Sequence, residues 1–119
     1  MRDDLAYLRY ILESIELVED YLVGQDGSLE QRLFIDDQRT QDAVLRRLET
    51  LSDAASHLSD DLKQRNPQIP WRNIAGFRNV MAHAYGNFRL DVVWDVIVND
   101  PPELKAIVER ELRQLNSDE

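Results

Sequence analysis

Apolar residues recur three to four positions apart through Leu5, Leu8, Leu12, Ile15, Val18 (or Glu19) and Leu22. That spacing lays one apolar stripe along an α-helix and predicts an amphipathic helix of about five turns over residues 5–23. Gly24 closes it, and Gly27 follows. Ser28 with Gln31 has the form of a capping box opening a further helical stretch through Leu29, Leu33 and Phe34. A long helix is predicted from about Asp36 to His57, with Ala43, Val44, Leu48, Leu51, Ala55 and Leu58 in helical register. It is either continuous with the preceding turns or kinked near Ile35–Asp37.

Ser59 followed by Asp60 and Asp61 reads as an N-cap with acids in the first turn. The short helix it starts cannot pass Asn66-Pro67. Pro70 fits the first turn of another short helix carrying Trp71, Ile74 and Ala75. Gly76 joins this to a helical segment, Phe77 to Tyr85, that Gly86-Asn87 ends. Leu90, Val92, Val93, Trp94, Val96, Ile97 and Val98 have strand propensity, but a lone strand would find no partner, so a buried helix is expected. Asp100 before Pro101-Pro102 is a start signal for a last helix bearing Leu104, Ile107, Val108, Leu112 and Leu115. The expectation is an all-α fold, three or four main helices plus short ones, without repeats or linkers.

With 119 residues the chain fits one domain, residues 1–119. Surface scaling lets a chain of this size bury roughly two-thirds of its unfolded surface, enough for a core without staples. There is no cysteine, which excludes disulfides and thiolate metal sites and is compatible with a reducing cytoplasm. Neither a secretory signal nor a membrane-spanning run is read in it, so the expectation is a soluble cytoplasmic protein without a membrane partner.

The net charge of −9 argues against general nucleic-acid adhesion, which depends on basic side chains neutralising phosphates. The charge is uneven, however. Residues 62–90 hold Lys63, Arg65, Arg72, Arg78 and Arg89 with no Asp or Glu, and all 23 acids lie elsewhere. Such a segment can focus an anionic ligand on one place while the remaining surface repels it, or simply pair with the chain's own acidic helices.

The same segment contains the densest chemistry, the run Trp71-Arg72-Asn73-Ile74-Ala75-Gly76-Phe77-Arg78-Asn79-Val80-Met81-Ala82-His83-Ala84-Tyr85. It joins a permanently charged phosphate binder, an imidazole that titrates near neutrality, an amide and a phenol. These suffice for metal-free phosphodiester cleavage. The imidazole moves the proton of a ribose 2′-hydroxyl or of the leaving oxygen, and guanidinium donors stabilise the added charge. On one helix at about 100° per residue, Asn79 and His83 share a face while Arg78 and His83 lie about 140° apart. A second copy related by a two-fold axis would bring Arg78, Asn79 and His83 of both chains into one cleft, which makes a homodimer a mechanistic expectation.

The run Arg78-Asn79-Val80-Met81-Ala82-His83-Ala84-Tyr85 resembles the mark of the HepT-like toxins of the HEPN superfamily: Arg, a polar residue, three positions, His, any residue, Tyr. The flanks are similar to that family too, through Arg39-Thr40-Gln41-Asp42-Ala43, Pro67, Ile69-Pro70-Trp71-Arg72-Asn73-Ile74-Ala75-Gly76 and Val93-Trp94. The resemblance implies a HEPN-type up-and-down helical bundle forming a two-fold symmetric homodimer. It also implies a metal-independent RNase toxin of a toxin–antitoxin pair, needing no cofactor. The family's antitoxin is a minimal nucleotidyltransferase that adenylylates the motif tyrosine in characterised pairs; that residue would be Tyr85. Attached AMP would put phosphate charge and bulk beside Arg78 and His83. Two positions depart from the pattern. A glycine is expected within Leu51-Ser52-Asp53-Ala54-Ala55, and Ala84 replaces a more usual glycine or polar residue.

The candidate catalytic residues are therefore Arg78 for the phosphate, His83 as acid and base, and Asn79, which fits substrate or backbone hydrogen bonding equally. Tyr85 is a modification site, a packing residue, or both. Arg65, Arg72 and Arg89 suit a phosphate track, although exposed arginines also serve solubility. His57, four residues after Asp53, suggests a surface pair rather than a metal ligand, and the usual zinc spacing is missing. Trp71 and Trp94 read as core or interface anchors before base-stacking platforms. The competing function is a non-catalytic module that binds RNA, a nucleotide or an antitoxin in the same cleft; a plain structural bundle ranks behind both.

Overall fold

The computed structural model describes residues 2–77 and 90–117, and among these the only regular structure is helical. The first helix, α1 (Arg2–Leu22), buries Leu8, Ile11, Ile15, Val18 and Leu22, each at most 3% exposed. Leu5 and Leu12 flank this stripe, half-buried. The expected helix is present, with its apolar face centred on Ile11, which the spacing argument had passed over.

One sequence expectation fails directly after it. Ser28 does not cap a helix: its N–H and Oγ–H both donate to Asp26 Oδ1, at 3.0 and 2.7 Å. Leu29 meanwhile forms an antiparallel bridge with Val23. The loop turns through Gly27 at φ +86°, a conformation that costs a residue without Cβ little. Extended backbone therefore continues to Glu30, and α2 (Gln31–Ile35) starts later than expected, with no side-chain cap.

The kink near Ile35–Asp37 is real. Asp37 caps α3 (Gln38–Ser56), accepting from the Arg39 N–H at 3.2 Å and from Thr40 Oγ1 at 2.9 Å. Gln41 Nε2 donates to the freed Ile35 carbonyl at 2.8 Å, satisfying the end of α2. Helix α3 buries Val44, Leu45, Leu48, Leu51, Ala54 and Ala55. It runs against α1: Tyr7, near the start of α1, stacks on His57 at the C-cap of α3, centroids 5.0 Å apart.

Then come α4 (Asp60–Arg65) and α5 (Trp71–Ala75), followed past the intervening segment by α6 (Leu90–Asn99) and α7 (Pro101–Ser117). Pro70 stands at the N-cap of α5, one position before the first-turn place expected for it. Helix α6 confirms that the β-branched run is helical; Val93 and Ile97, four apart, are its buried positions. The backbone N–H of Leu104 donates to the Asp100 carbonyl at 3.3 Å as α7 begins. Helix α7 also packs against α1, with Lys105 Nζ near its start 2.8 Å from Glu19 Oε1 near the end of α1. Leu104, Ile107, Val108 and Leu112 complete the core. Each fully buried Leu, Ile or Phe contributes about 1.5–3 kcal/mol relative to exposure, so the α1, α3 and α7 layer provides most of the scaffold.

Candidate active site

Two short helices lead into the segment that carries the candidate chemistry, and both are tied down by polar contacts from longer ones. At the front, Ser59 caps α4 by accepting from the Leu62 N–H at 3.2 Å. Asp4, only 3% exposed, accepts from Ser59 N–H at 2.8 Å and from Ser59 Oγ–H at 2.6 Å. The start of α1 thus fixes the start of α4.

Asn66 is fully buried where α4 ends. Its Nδ2 donates to the Leu62 carbonyl at 2.9 Å and to Glu111 Oε2 at 3.2 Å, and its Oδ1 accepts from Arg110. Arg65 Nη2 reaches the other Glu111 oxygen at 2.7 Å. Burial pushes the Glu111 carboxyl up, but hydrogen bonds from Arg65 and Asn66 and the charges of Arg65 and Arg110 outweigh it and hold the group below the ordinary glutamate value. The indole Nε1 of Trp71 donates to the Asn66 and Lys63 carbonyls at 3.0 and 3.2 Å, locking the first residue of α5 onto the end of α4.

At the back of α5, Ser52 of α3 donates its hydroxyl to the Ala75 carbonyl at 3.2 Å. Phe77, two residues later, is buried in the core. Between α5 and the junction of α6 with α7 lies an open cleft of about 330 Å³ lined by Arg72, Asn73, Gly76, Phe77, Val96 and Asp100. Burial, and then Glu103, push the Asp100 carboxyl above its ordinary value.

Of the residues singled out from the sequence, Arg78, Asn79, His83, Tyr85 and Arg89 lie outside the described residues. Arg72 is exposed at the cleft. Arg65 lies elsewhere, its guanidinium committed to Glu111 although about half of its side chain remains exposed. Trp94 packs inside the chain against Phe34, centroids 6.3 Å apart. His57 Nε2 stands 3.9 Å from Asp53 Oδ1 on the surface, as its spacing suggested. Among the described residues no three His, Asp or Glu gather in a way that could hold a metal ion, and no helix is long and apolar enough to cross a membrane. Asp4, Ser52, Asn66 and Glu111 were not singled out from the sequence. Their common signal is a polar residue at a position that is buried once the helices pack.

Residues 11–111 match the family described as Ribonuclease HepT-like. The chain belongs to the HepT-like family. A relative in Thermococcus cleftensis, named "Probable ribonuclease HepT", is 36% identical over 92% of this chain and 96% of its own length. One in Methanocaldococcus jannaschii, named "Putative RNase", is 32% identical over 91% of this chain and 87% of its own length. A longer protein of that organism, named "Gamma-glutamylcyclotransferase and putative RNase", is 33% identical over 98% of this chain, which spans 51% of it. No solved structure matches the chain. The HepT-like match reaches from α1 to α7 and takes in the whole run from Arg78 to Tyr85.

Proposed function

We propose that this HepT-like chain is a metal-independent endoribonuclease, the toxin of a toxin–antitoxin pair, acting in the cytoplasm as a homodimer of one-domain subunits spanning residues 1–119. The observation that carries the reading is the family match over a segment that combines Arg78, Asn79, His83 and Tyr85 within a stretch free of acids. In this mechanism the ribose 2′-oxygen attacks the adjacent phosphorus and the bond to the 5′-oxygen breaks. The products are a 2′,3′-cyclic phosphate and a 5′-hydroxyl. His83 takes the 2′-proton, and an imidazolium, supplied by the second subunit's copy of the motif, gives one to the departing oxygen. Arg78 neutralises charge that builds on the phosphoryl oxygens, and Asn79 orients the phosphate. Arg72, exposed at the cleft that precedes this segment, extends the phosphate contacts.

The proposed antitoxin is a minimal nucleotidyltransferase that moves AMP from ATP to the Tyr85 oxygen and releases pyrophosphate. The added phosphate would compete for Arg78 and exclude RNA. The test is cleavage of RNA by purified protein in excess chelator, comparing wild type with His83→Ala and identifying the 3′ end of the product. Intact mass first establishes that Tyr85 carries no AMP. A cyclic phosphate made by wild type, with a rate loss of about 100-fold or more in a His83→Ala protein that still dimerises, is the expected result. Absence of cleavage by unmodified wild type would favour the non-catalytic binding module.

A further inference from the structure

Helix α3 carries four hydroxyl side chains, and three of them bond locally. Thr40 donates to Asp37 Oδ2 at 2.9 Å, Thr50 to the Arg46 carbonyl at 3.0 Å and Ser56 to the Asp53 carbonyl at 2.6 Å. A helical Ser or Thr ordinarily finds such a carbonyl one turn back. Ser52 does not. It is 1% exposed, stands within the apolar face of α3, and donates across the interface to the Ala75 carbonyl, 23 residues on.

The position of that acceptor matters. Ala75 is the last residue of a five-residue helix, and the Gly76 N–H bonds back to the Arg72 and Asn73 carbonyls as the helix closes. Here a side chain from another helix supplies a donor at the point where α5 stops, three residues before Arg78. With Trp71 held by α4 at the other end, α5 is fastened at both ends.

We infer that Ser52 is a positioning residue for the catalytic segment: its hydroxyl fixes the end of α5 and so the point from which Arg78 is delivered to the substrate phosphate. This rests on the endoribonuclease reading above.

The experiment compares wild type with Ser52→Ala, Ser52→Cys and Ala55→Gly. The last lies in the buried face of the same helix and destabilises α3 without removing a hydroxyl. Two readouts are taken: kcat and KM for RNA cleavage, and the ring proton resonance of His83, one of two histidines in the chain. Misplacing a reacting group by 1 Å costs about 100-fold, and partial relaxation sets the expectation at about tenfold or more in kcat for Ser52→Ala, with KM unchanged. Ser52→Cys, of similar volume and weaker as a donor, falls between the two. The His83 resonance moves in both Ser52 variants, whereas Ala55→Gly leaves kcat and that resonance at wild-type values. Wild-type kcat and resonance in Ser52→Ala would overturn the proposal, as would losses that merely follow stability across all three variants. If Ser52→Ala does not fold, the Cys variant carries the same decision. If wild type shows no His83-dependent cleavage, the endoribonuclease reading falls, while the resonance comparison still decides whether Ser52 positions the segment.

Discussion

Cutting the Arg65–Glu111 contact from one side should cost much more than cutting it from the other. The two partners sit in different surroundings: the Glu111 side chain is 3% exposed and the Arg65 side chain 54%. In Glu111→Gln the stranded guanidinium turns into water, so the loss is about 1 kcal/mol, the scale of one net hydrogen bond. In Arg65→Met a buried carboxylate remains, and water does not reach it. What remains is one donor, Asn66 Nδ2 at 3.2 Å, and the charge of Arg110 at 3.8 Å. Stranding a buried charge entirely costs about 3–5 kcal/mol, and these two neighbours reduce the expectation to about 2–3 kcal/mol. With an unfolding entropy of about 0.25 kcal/mol/K for a chain of this length, the losses in Tm are about 4 °C and about 8–12 °C. Urea and thermal unfolding followed by circular dichroism measure both. The sign of the pH dependence follows from Glu111, whose folded pKa is lowered. Its contribution is complete above the unfolded carboxyl value of about 4.3 and is lost as pH falls through the lower folded value. In Arg65→Met the upward push of burial is less opposed, so the folded value moves up toward or past the unfolded one and the variant loses less stability than wild type as pH falls through the carboxylate range. Equal losses in the two variants, or an unchanged acid profile in Arg65→Met, would refute this account of the network.

Asp4→Ala and Ser59→Ala each remove part of one relay and are expected to cost about 1–2 kcal/mol. Because both remove the hydrogen bond from Ser59 Oγ to Asp4, the double variant should lose less than the two single losses combined, by more than 0.5 kcal/mol in a double-mutant cycle of about that resolution. Arg72→Ala should weaken single-stranded RNA binding and make the plot of log affinity against log salt shallower by about 0.7, the value for one phosphate contact. Arg65→Met serves as the comparison in that titration: its guanidinium is already engaged by Glu111, so the slope should stay at the wild-type value.

The helices were legible because helix periodicity is a local property. Leu8, Ile15, Val18 and Leu22 announce α1, and Ser59 caps α4 by accepting from an N–H only three residues on. Even α6 could be read against its strand propensity. The capping box failed for a local reason as well, since Asp26 lies two residues from Ser28 and takes both of its donors. What the sequence could not display are pairings over distance. Asp4 meets Ser59 across 55 positions, Arg65 meets Glu111 across 46, and Ser52 meets Ala75 across 23. No periodicity marks such pairs, because each depends on how two helices are juxtaposed. The candidate chemistry is the reverse case. Arg78, Asn79, His83 and Tyr85 stand out in the sequence by residue type and spacing, while the structure supplies the frame that leads into them.

Helix α5 has five residues, far below the roughly 12–15 at which an isolated helix begins to hold its shape in water. Its form is therefore borrowed from α3 and α4, through Ser52, Asn66 and Trp71. Grafting residues 71–85 onto another scaffold would transfer the candidate residues and leave behind the contacts that hold α5 in place. The smallest portable unit of the candidate site includes the Ser52 donor on α3 and the Lys63 and Asn66 carbonyls at the end of α4, however distant they are along the chain.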